Sequence, residues 1–401
     1  MLTTTTATVG ALTAYLAVIT VAARRKATSR RRPARSTSLR FAIFVPAHNE
    51  EAVIGEALES FRRLDYPAEQ FVVHVVADNC TDRTADVVTR FGFSVHERTD
   101  LAAPGKGPAL NWLFDRLQDG GEQFDAVVIV DADTRLRADF LQHICRALDD
   151  GARAAQGLYM VHDAAASPAT ALRTAAMACR HNLRPLGRTA LGASCGLYGN
   201  GMVFDTELMK GRRWSGHLTE DAEFQMDLLL DGELVVYVPD AVLEAEMPRT
   251  LEASATQNQR WELGRLQMAR RYVPILAKRI ASGPPQLRVA YADAIVDHLV
   301  PPLSVLVAAN ASCMLGAAAM TGARGRRTDR LNLVVSVLSG AAIVAHVLAG
   351  LRSVNAPRST YRALLSAPRL IAWKLALWIR VLARPNDVTW TRTARNVEAR
   401  T

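Results

Sequence analysis

The sequence has no Gly-x-Gly-x-x-Gly after its first apolar run, no Cys-x-x-Cys, and no acidic residue among its first 40 positions. The first absence removes support for a dinucleotide-binding fold. The second leaves Cys80, Cys145, Cys179, Cys195 and Cys313 scattered without metal-ligand spacing, so neither a zinc site nor a disulfide framework is indicated. A reducing, cytoplasmic location is the expectation for the soluble part. The third absence shows that the formal charge of +9 is unevenly divided. Lys and Arg outnumber Asp and Glu by 8 to none in residues 1 to 40 and by 17 to 5 from residue 275 onward, which leaves 23 against 34 between them. A nucleic-acid binder carries its positive excess on the folded domain that meets phosphate. Here the excess lies beside apolar segments, a pattern that suits anionic lipids and excludes nucleic acid as the expected partner.

At 401 residues the chain has room for a soluble domain and a membrane part. Residues 6 to 23 are apolar, uncharged and just long enough to span a bilayer, and Arg24, Arg25 and Lys26 follow them directly. A cleaved signal peptide carries its charges before the apolar run, so this segment reads as an anchor whose following domain is cytoplasmic. The Ser/Arg/Pro-rich linker to about residue 39 is expected to be poorly ordered. From Phe41, short apolar runs at 41 to 46, 71 to 78 and 93 to 97 alternate with helical periodicity at 51 to 64 and 106 to 117. That alternation predicts an α/β domain with a mainly parallel sheet. Residues 168 to 185 read as helix, and 191 to 204 as a Gly-rich loop. A helix at 219 to 231, capped by Thr219 and stopped by Gly232, precedes a strand at 234 to 239 and a helix at 254 to 272. Residues 299 to 320 and 331 to 350 are long enough to span. Their short connection carries positive charge against the positive-inside rule, which leaves a re-entrant pair open. Residues 361 to 383 mix Arg, Lys and Trp into an apolar helix and favour an interfacial placement over a further span.

Val127-Val128-Ile129-Val130-Asp131-Ala132-Asp133 is a β-branched run that ends in two carboxylates. Open α/β sheets bind ligands at that edge, and Asp131 and Asp133 could hold a divalent cation there. An acidic turn that caps the next helix is the plain alternative. Glu50 in Pro46-Ala47-His48-Asn49-Glu50 and Asp78 end the first two strands, where they could meet a base or ribose or equally cap a helix. Lys106 sits in a Gly-Lys-Gly turn that opens a helix, a place for pyrophosphate or for a merely solvated lysine. Glu220 and Asp221 open another helix, where a carboxylate can serve as a general base or simply complement the dipole. Gln257, Arg260 and Trp261 fall at i, i+3 and i+4, about one helical face. The Trp can stack on a sugar ring and the Arg can stabilise a departing diphosphate, or the two can be a core Trp under a snorkelling Arg.

Each signal alone is weak, but their order is specific. Pro-Ala-His-Asn-Glu50, Asp78, Gly-Lys106-Gly, Asp131-Ala-Asp133, the Gly199-Asn200-Gly201-Met202 loop, Thr219-Glu220-Asp221 and Gln257-x-x-Arg260-Trp261 together resemble membrane-bound glycosyltransferase family 2 enzymes. These are relatives of cellulose, chitin and hyaluronan synthases and of ceramide glucosyltransferase. The resemblance implies a GT-A (nucleotide-diphospho-sugar transferase) domain over residues 41 to 275. It would be flanked by a membrane anchor and basic linker (1 to 40) and by a C-terminal region of transmembrane and interfacial helices (276 to 401). It further implies an inverting, metal-dependent transfer from a UDP-sugar to a lipid or polysaccharide acceptor at the cytoplasmic face of the cell membrane. Carried over by position, Glu50 and Asp78 would contact the nucleoside and Lys106 the nucleotide end of the donor. Asp131 and Asp133 would form the D-x-D pair, with Asp133 the direct ligand of Mg²⁺ or Mn²⁺. Asp221, beside Glu220, would be the base, and Gln257, Arg260 and Trp261 would face the acceptor and diphosphate.

The sequence departs from the polymer-secreting members in its short membrane part, about three spans. Processive export by this chain alone is therefore not expected, and export would need partner subunits. Trp390-Thr391-Arg392-Thr393 resembles the W-x-R-T found after the last membrane helix in many of these enzymes. The alternative reading is a catalytically silent component that binds a nucleotide sugar for a partner synthase.

Overall fold

A computed structural model of the protein describes residues 1–26, 38–217 and 219–383. The basic linker at 27–37 and the Trp390 motif lie outside the described residues. The chain forms two compact units. Among the described residues, one comprises 38–162 and 194–247 without 218, and the other 1–26, 163–193 and 248–383.

The first unit is built on a sheet of eight strands. These are β1 (Phe41–Ala47), β2 (Phe71–Asp78), β3 (Ser94–Arg98), β4 (Ala126–Ile129), β5 (Thr134–Leu136), β6 (Ala154–Val161), β7 (Met202–Asp205) and β8 (Val235–Ala245). They lie in the order β3-β2-β1-β4-β7-β6-β8-β5. Four of the seven pairings are parallel, β1 with β2 and β4, β2 with β3, and β6 with β8. The expected α/β domain with a mainly parallel sheet is present, and antiparallel β7 and β5 make it mixed. β1, β4 and β6 are buried almost throughout because both faces are covered, which is why they read as continuous apolar runs rather than as alternation. The helix Ile54–Arg62 covers one face with Ile54, Ala57, Leu58 and Phe61, the i, i+3, i+4, i+7 stripe of an amphipathic helix.

Several boundaries differ from the sequence reading, each for a local reason. The first helix starts at Ile54 rather than residue 51 because the Glu50 carbonyl closes a turn onto the Val53 and Ile54 amides. β4 stops at Ile129. Val130 still donates to the Phe44 carbonyl at 3.0 Å, and Asp131 to Asp133 leave the sheet in a turn closed by the Thr134 amide on the Asp131 carbonyl. β5 and β7, of three and four residues, are too short to show a period, and β7 follows directly on the Gly-rich loop. β8 runs past residue 239 because Pro239, Asp240 and Ala241 loop out opposite Gly157 and pairing resumes at Leu158 and Val242. A Cβ on Gly157 would lie 2.7 Å from the Ala241 carbonyl, so only glycine admits this bulge.

The second unit is helical. Three of its helices, Leu2–Arg24, Leu303–Arg324 and Arg327–Ser353, are long and apolar enough to cross a membrane. Hydrogen bonds join Thr3 to Asn332, Thr13 to Ser339 and Thr20 to His346. The numbers rise together, so the first and third of these helices run parallel. The N-terminal end of the first lies at the Asn332 end of the third, and its C-terminal end at the His346 end. Val9, Leu16, Ile19, Val300, Leu306, Cys313 and Ile343 fill the space between them. Polar side chains inside an apolar bundle fix which helix faces meet, because each needs a partner. The segment expected at 168 to 185 is longer and broken into Pro168–Met177, a π-helical turn at Ala178–Leu183, and Arg184–Ala190. Pro185 offers no amide to the preceding turn, which accounts for the widening. The helix Ala255–Ser282 continues through Pro274, ten residues past the expected end at 272.

Burial disfavours the charged imidazole of His74, against the opposing pull of Glu122, and of His96, where His74 and Arg116 add to the effect. Both pKa values lie below the ordinary one, so the unfolded chain binds these protons first as pH falls below about 6.5. The native state is therefore expected to lose stability between pH 7 and pH 5. His96→Gln should lose less over that interval than the parent in detergent-solubilised thermal unfolding, and an equal loss would remove His96 from the account.

Candidate active site

The site is assembled at the C-terminal edge of the sheet, where β4 has parallel β1 on one side and antiparallel β7 on the other. Beyond β1, Asn49 takes a left-handed backbone (φ 55°), which turns its side chain to accept from the Thr81 amide at 2.7 Å. His48 Nδ1 bonds the Asp78 carbonyl at 2.8 Å, and the Glu50 amide donates to Thr84 Oγ1. The first two strand ends are thus tied together. Glu50 is buried beside this junction.

Asp78 is buried as well, and both its oxygens are engaged. Oδ1 receives Arg98 Nη1, and Oδ2 accepts the Gly105 amide at 3.2 Å. Arg98 also bonds Asp100 Oδ2 and the Ala103 carbonyl. Asp78 thereby sets the path of residues 99 to 105, which delivers Lys106 to the start of the helix Lys106–Asp119. Gly105 has φ 114° at the cap. Gly107 is required by contact, since a Cβ there would come within 2.1 Å of the Ser215 carbonyl.

Lys106 Nζ donates to Asp131 Oδ1 and to the Gly199 carbonyl. Burial opposes its charge, but Asp131, Glu220 and Asp221 outweigh burial and hold its pKa above the ordinary lysine value. Gly199 (φ 74°) passes so close that a Cβ there would lie 3.5 Å from Asp221 Oδ2 and 3.9 Å from Lys106 Nζ. Lys106, Asp131 and Asp221 therefore converge on one turn. Asn200, wholly buried, fixes that turn, with Oδ1 accepting the Asp131 amide at 3.1 Å and Nδ2 donating to Thr134 Oγ1 at 2.7 Å. Asp133 Oδ1 receives Thr134 Oγ1 at 3.3 Å.

Glu220 and Asp221 begin the helix Glu220–Leu230, held in place by Phe224, which stacks on Trp214 at 4.0 Å and 12°. Thr219 occupies the capping position but makes no capping bond with its side chain; Asp221 Oδ1 accepts the Ala222 amide at 2.8 Å instead. Burial and the adjacent Asp221 push the Glu220 carboxyl up to about 7, against the pull of Lys106. Asp131 and Asp133 offer hard oxygen donors of the kind Mg²⁺ and Mn²⁺ take. Among the described residues no three His, Cys, Asp or Glu gather to hold an ion unaided. The pair therefore fits a cation whose shell is completed by a phosphate ligand and water. Seven of the ten candidate residues lie in this unit.

Gln257, Arg260 and Trp261 lie in the helical unit on the helix Ala255–Ser282. Gln257 Oε1 accepts Arg173 Nη1 at 3.1 Å, and the Arg173 guanidinium sits 5.7 Å from the Trp261 ring centroid. Trp261 is 44% exposed, so it is not a core tryptophan. Sequence reasoning missed Arg98 and Arg173, and it named Asn200 only as part of a loop, without a role of its own. The Gly-Asn-Gly flanks were the available signal for Asn200, while the two arginines stand in segments with no motif of their own.

The strand order and the convergence at the β4 edge define a nucleotide-diphospho-sugar transferase sheet of the GT-A type. The chain superposes on the mannosyltransferase PcManGT of Pyrobaculum calidifontis, solved with GDP-Man and Mn²⁺, with a TM-score of 0.55. That match covers 88% of this chain and 99% of the other at 20% identity, a likeness of fold. Residues 39–264, more than half of the sequence, match the profile described as Glycosyltransferase like family 2, and the chain belongs to that family. It is 27% identical over 232 residues to the probable glycosyltransferase YdaM of Bacillus subtilis (strain 168), covering 55% of this chain and 54% of that protein. It is 28% identical over 246 residues to a beta-monoglucosyldiacylglycerol synthase of Nostoc sp. (strain PCC 7120), covering 59% and 51%. The chain thus spans about half the length of these curated relatives.

Asn200→Ala would strand the Asp131 amide and Thr134 hydroxyl. We expect it to cost about 1–3 kcal/mol in denaturant unfolding, whereas a change of a few tenths would show that water replaces the side chain.

Proposed function

We propose that the protein is an inverting, metal-dependent glycosyltransferase that moves a sugar from a UDP-sugar to a lipid acceptor at the cytoplasmic membrane face. Residues 41 to 275 form its catalytic domain in this reading. The observation that carries it is the meeting of Lys106, Asp131, the Gly199 carbonyl and Asp221 on one turn at the sheet edge. A strand-end carboxylate pair, a charged lysine at a helix N-terminus and a second helix-borne carboxylate are what transfer from a diphosphate donor requires.

Each residue then has a task. Lys106, kept cationic by its neighbours, exchanges Asp131 for a diphosphate oxygen when donor binds, and the amides that open its helix add to the hold. Glu50 and the Asp78 turn line the nucleoside side. Asp133 and Asp131 would hold Mg²⁺ or Mn²⁺, which would supply positive charge against that growing on the leaving diphosphate. Asp221 takes the proton of the acceptor hydroxyl as it attacks the anomeric carbon from the face opposite the diphosphate, with inversion. Glu220, its pKa raised by burial and by Asp221, places a carboxyl that holds its proton more readily than an ordinary one beside the base. Gln257, Arg260 and Trp261 meet the acceptor and diphosphate, with Trp261 offering an exposed ring for stacking.

A lipid acceptor is favoured over a secreted polymer because the helical unit has a core filled by apolar side chains and one relative bears the name of a glycolipid synthase. A polysaccharide acceptor would need partner subunits for export. The cytoplasmic orientation rests on the basic run after residue 23, and the parallel first and third apolar helices bring Arg352 to that same end.

Membranes that hold the protein, incubated with radiolabelled UDP-sugars and GDP-mannose, are expected to yield labelled lipid from a UDP-sugar. Label only in polymer would exclude the lipid acceptor. Calorimetric UDP binding without transfer to any acceptor would support the silent binding component instead. Asp221→Asn should lower kcat by about 10²–10⁴ while leaving the UDP dissociation constant within about threefold of the parent's. Lys106→Met should instead weaken UDP binding. Parental turnover in Asp221→Asn would remove it as the base.

A further inference from the structure

Lys106 and Asp221 stand at the starts of two different helices, so their separation depends on what joins Lys106–Asp119 to Glu220–Leu230. The segment that leads into the second helix lies along the first. Gly107, Asn111 and Asp115 fall at i, i+4 and i+8, one row on the helix surface. Ser215, Trp214 and Arg213 meet them in reverse order. The three contacts differ in kind. Gly107 meets the Ser215 carbonyl by close approach alone, which limits distance without fixing direction. Asp115 and Arg213 form an ion pair at 3.0 Å with both side chains about half exposed, a setting in which such a pair contributes little.

Asn111 closes both backbone hydrogen bonds of one residue. Its Nδ2 donates to the Trp214 carbonyl at 2.8 Å, and its Oδ1 accepts the Trp214 amide at 2.9 Å. Two bonds from one planar amide fix the direction of the Trp214 backbone as well as its distance. An aspartate would lack the donor, and a glutamine would hold the same groups one methylene farther out. Trp214 passes the constraint on. It is buried, and its ring stacks on Phe224 at 4.0 Å and meets Phe204 edge-on at 5.5 Å. Phe224 lies three residues after Asp221 on the same helix, and Phe204 lies on β7, directly after the turn at Gly199 to Gly201. Phe204 and Phe224 meet edge to face at 5.2 Å, which closes the ring cluster. The hold of Asn111 on Trp214 therefore reaches the helix that carries Asp221 through one stacked ring pair.

We propose that Asn111 is a positioning residue that sets Asp221 relative to Lys106 and so aligns the base with the donor diphosphate. The proposal rests on the reading of Asp221 as the base and of Lys106 as the diphosphate contact. Asn111 is uncharged and lies five residues beyond Lys106, an axial rise of about 7.5 Å, so it acts through the Trp214 segment and not on the reacting atoms. Misplacing a reacting group by about 1 Å can cost on the order of 10²-fold in rate. Donor binding draws on Lys106 and the start of its own helix, and it does not need that alignment.

A double-mutant cycle in the full-length protein separates this role from a general loosening of the fold. Asn111→Ala should lower kcat for transfer from the accepted UDP-sugar by about 10- to 100-fold. Its UDP dissociation constant, read by calorimetry, should stay within about threefold of the parent's. In an Asp221→Asn background the same substitution should lower kcat by no more than a further threefold or so, because no base is left to align. Arg213→Gln should keep kcat within about twofold of the parent's. Losses that multiply in the double variant, UDP binding that weakens in step with kcat, or parental turnover in Asn111→Ala would each overturn the proposal. A loss in Arg213→Gln equal to that in Asn111→Ala would overturn it as well, by spreading the effect over the whole row. Asn111→Gln carries the same cycle if Asn111→Ala fails to fold. Parental turnover in Asp221→Asn alone would mark a different failure, that of the base assignment, and the role of Asn111 would fall with it.

Discussion

A lysine ammonium held between the carboxylate of Asp131 and the carbonyl of Gly199 joins three segments that are far apart in sequence. Much of the sheet-borne site follows from that contact. The lysine must arrive from a helix N-terminus, so the preceding turn is shaped by Asp78 accepting the Gly105 amide. The carboxylate must stand clear of the sheet, so β4 ends two residues before it. The carbonyl must be offered by a left-handed turn, so position 199 is glycine. The oppositely charged partners keep the ammonium ionised despite its burial, and that charge is what a diphosphate would meet.

The strand pattern explains why the turn is there at all. With every neighbour parallel, the chain would leave β4 into a helix and return by a crossover. Here β4 meets β7 antiparallel, and the Gly201 amide donates to the Ile129 carbonyl at 2.9 Å. The loop that enters β7 is thereby laid directly across the end of β4. Asn200 locks the two together and Gln156 supports the same loop, donating to the Asn200 carbonyl at 2.8 Å and accepting the Tyr198 amide at 3.1 Å. A break in strand direction thus serves as the crevice that a reversal of strand order supplies in wholly parallel sheets.

Much of this was legible in the sequence where pattern and chemistry coincide. β1, β2 and β4 announce themselves as buried apolar runs, and Asp78, Lys106, Asp131 and Glu220 each stand at a strand end or helix start that periodicity alone locates. β5 and β7 escaped because three or four residues carry no period, and β8 was cut short because Pro239 looks like a strand terminator when it is part of a bulge. Arg98, Asn200 and Arg173 escaped for a different reason. Their roles come from partners 20, 69 and 84 residues away; the glycines beside Asn200 mark its loop but not its bonds, and nothing local marks the two arginines. Thr219 shows the converse error. A residue with ideal capping chemistry stands at the capping position, and the helix N-terminus is satisfied by Asp221 instead.

The electrostatics of the turn also bear on why a cation belongs to the proposed reaction. Asp131, Glu220 and Asp221 act on one lysine, and on one another strongly enough to bring Glu220 up to about 7. With all three ionised, one ammonium leaves the group net negative, and a nucleoside diphosphate brings further negative charge to it. Lys106 alone cannot reverse that balance, since it already serves Asp131. Two routes lower the repulsion. Glu220 can stay protonated, which removes one charge, and a dication on the Asp131–Asp133 pair can remove two and free Lys106 for the phosphate. The first is built into the fold. The second is the larger, and it gives the paired carboxylates at the strand end a task that a capping turn would not need.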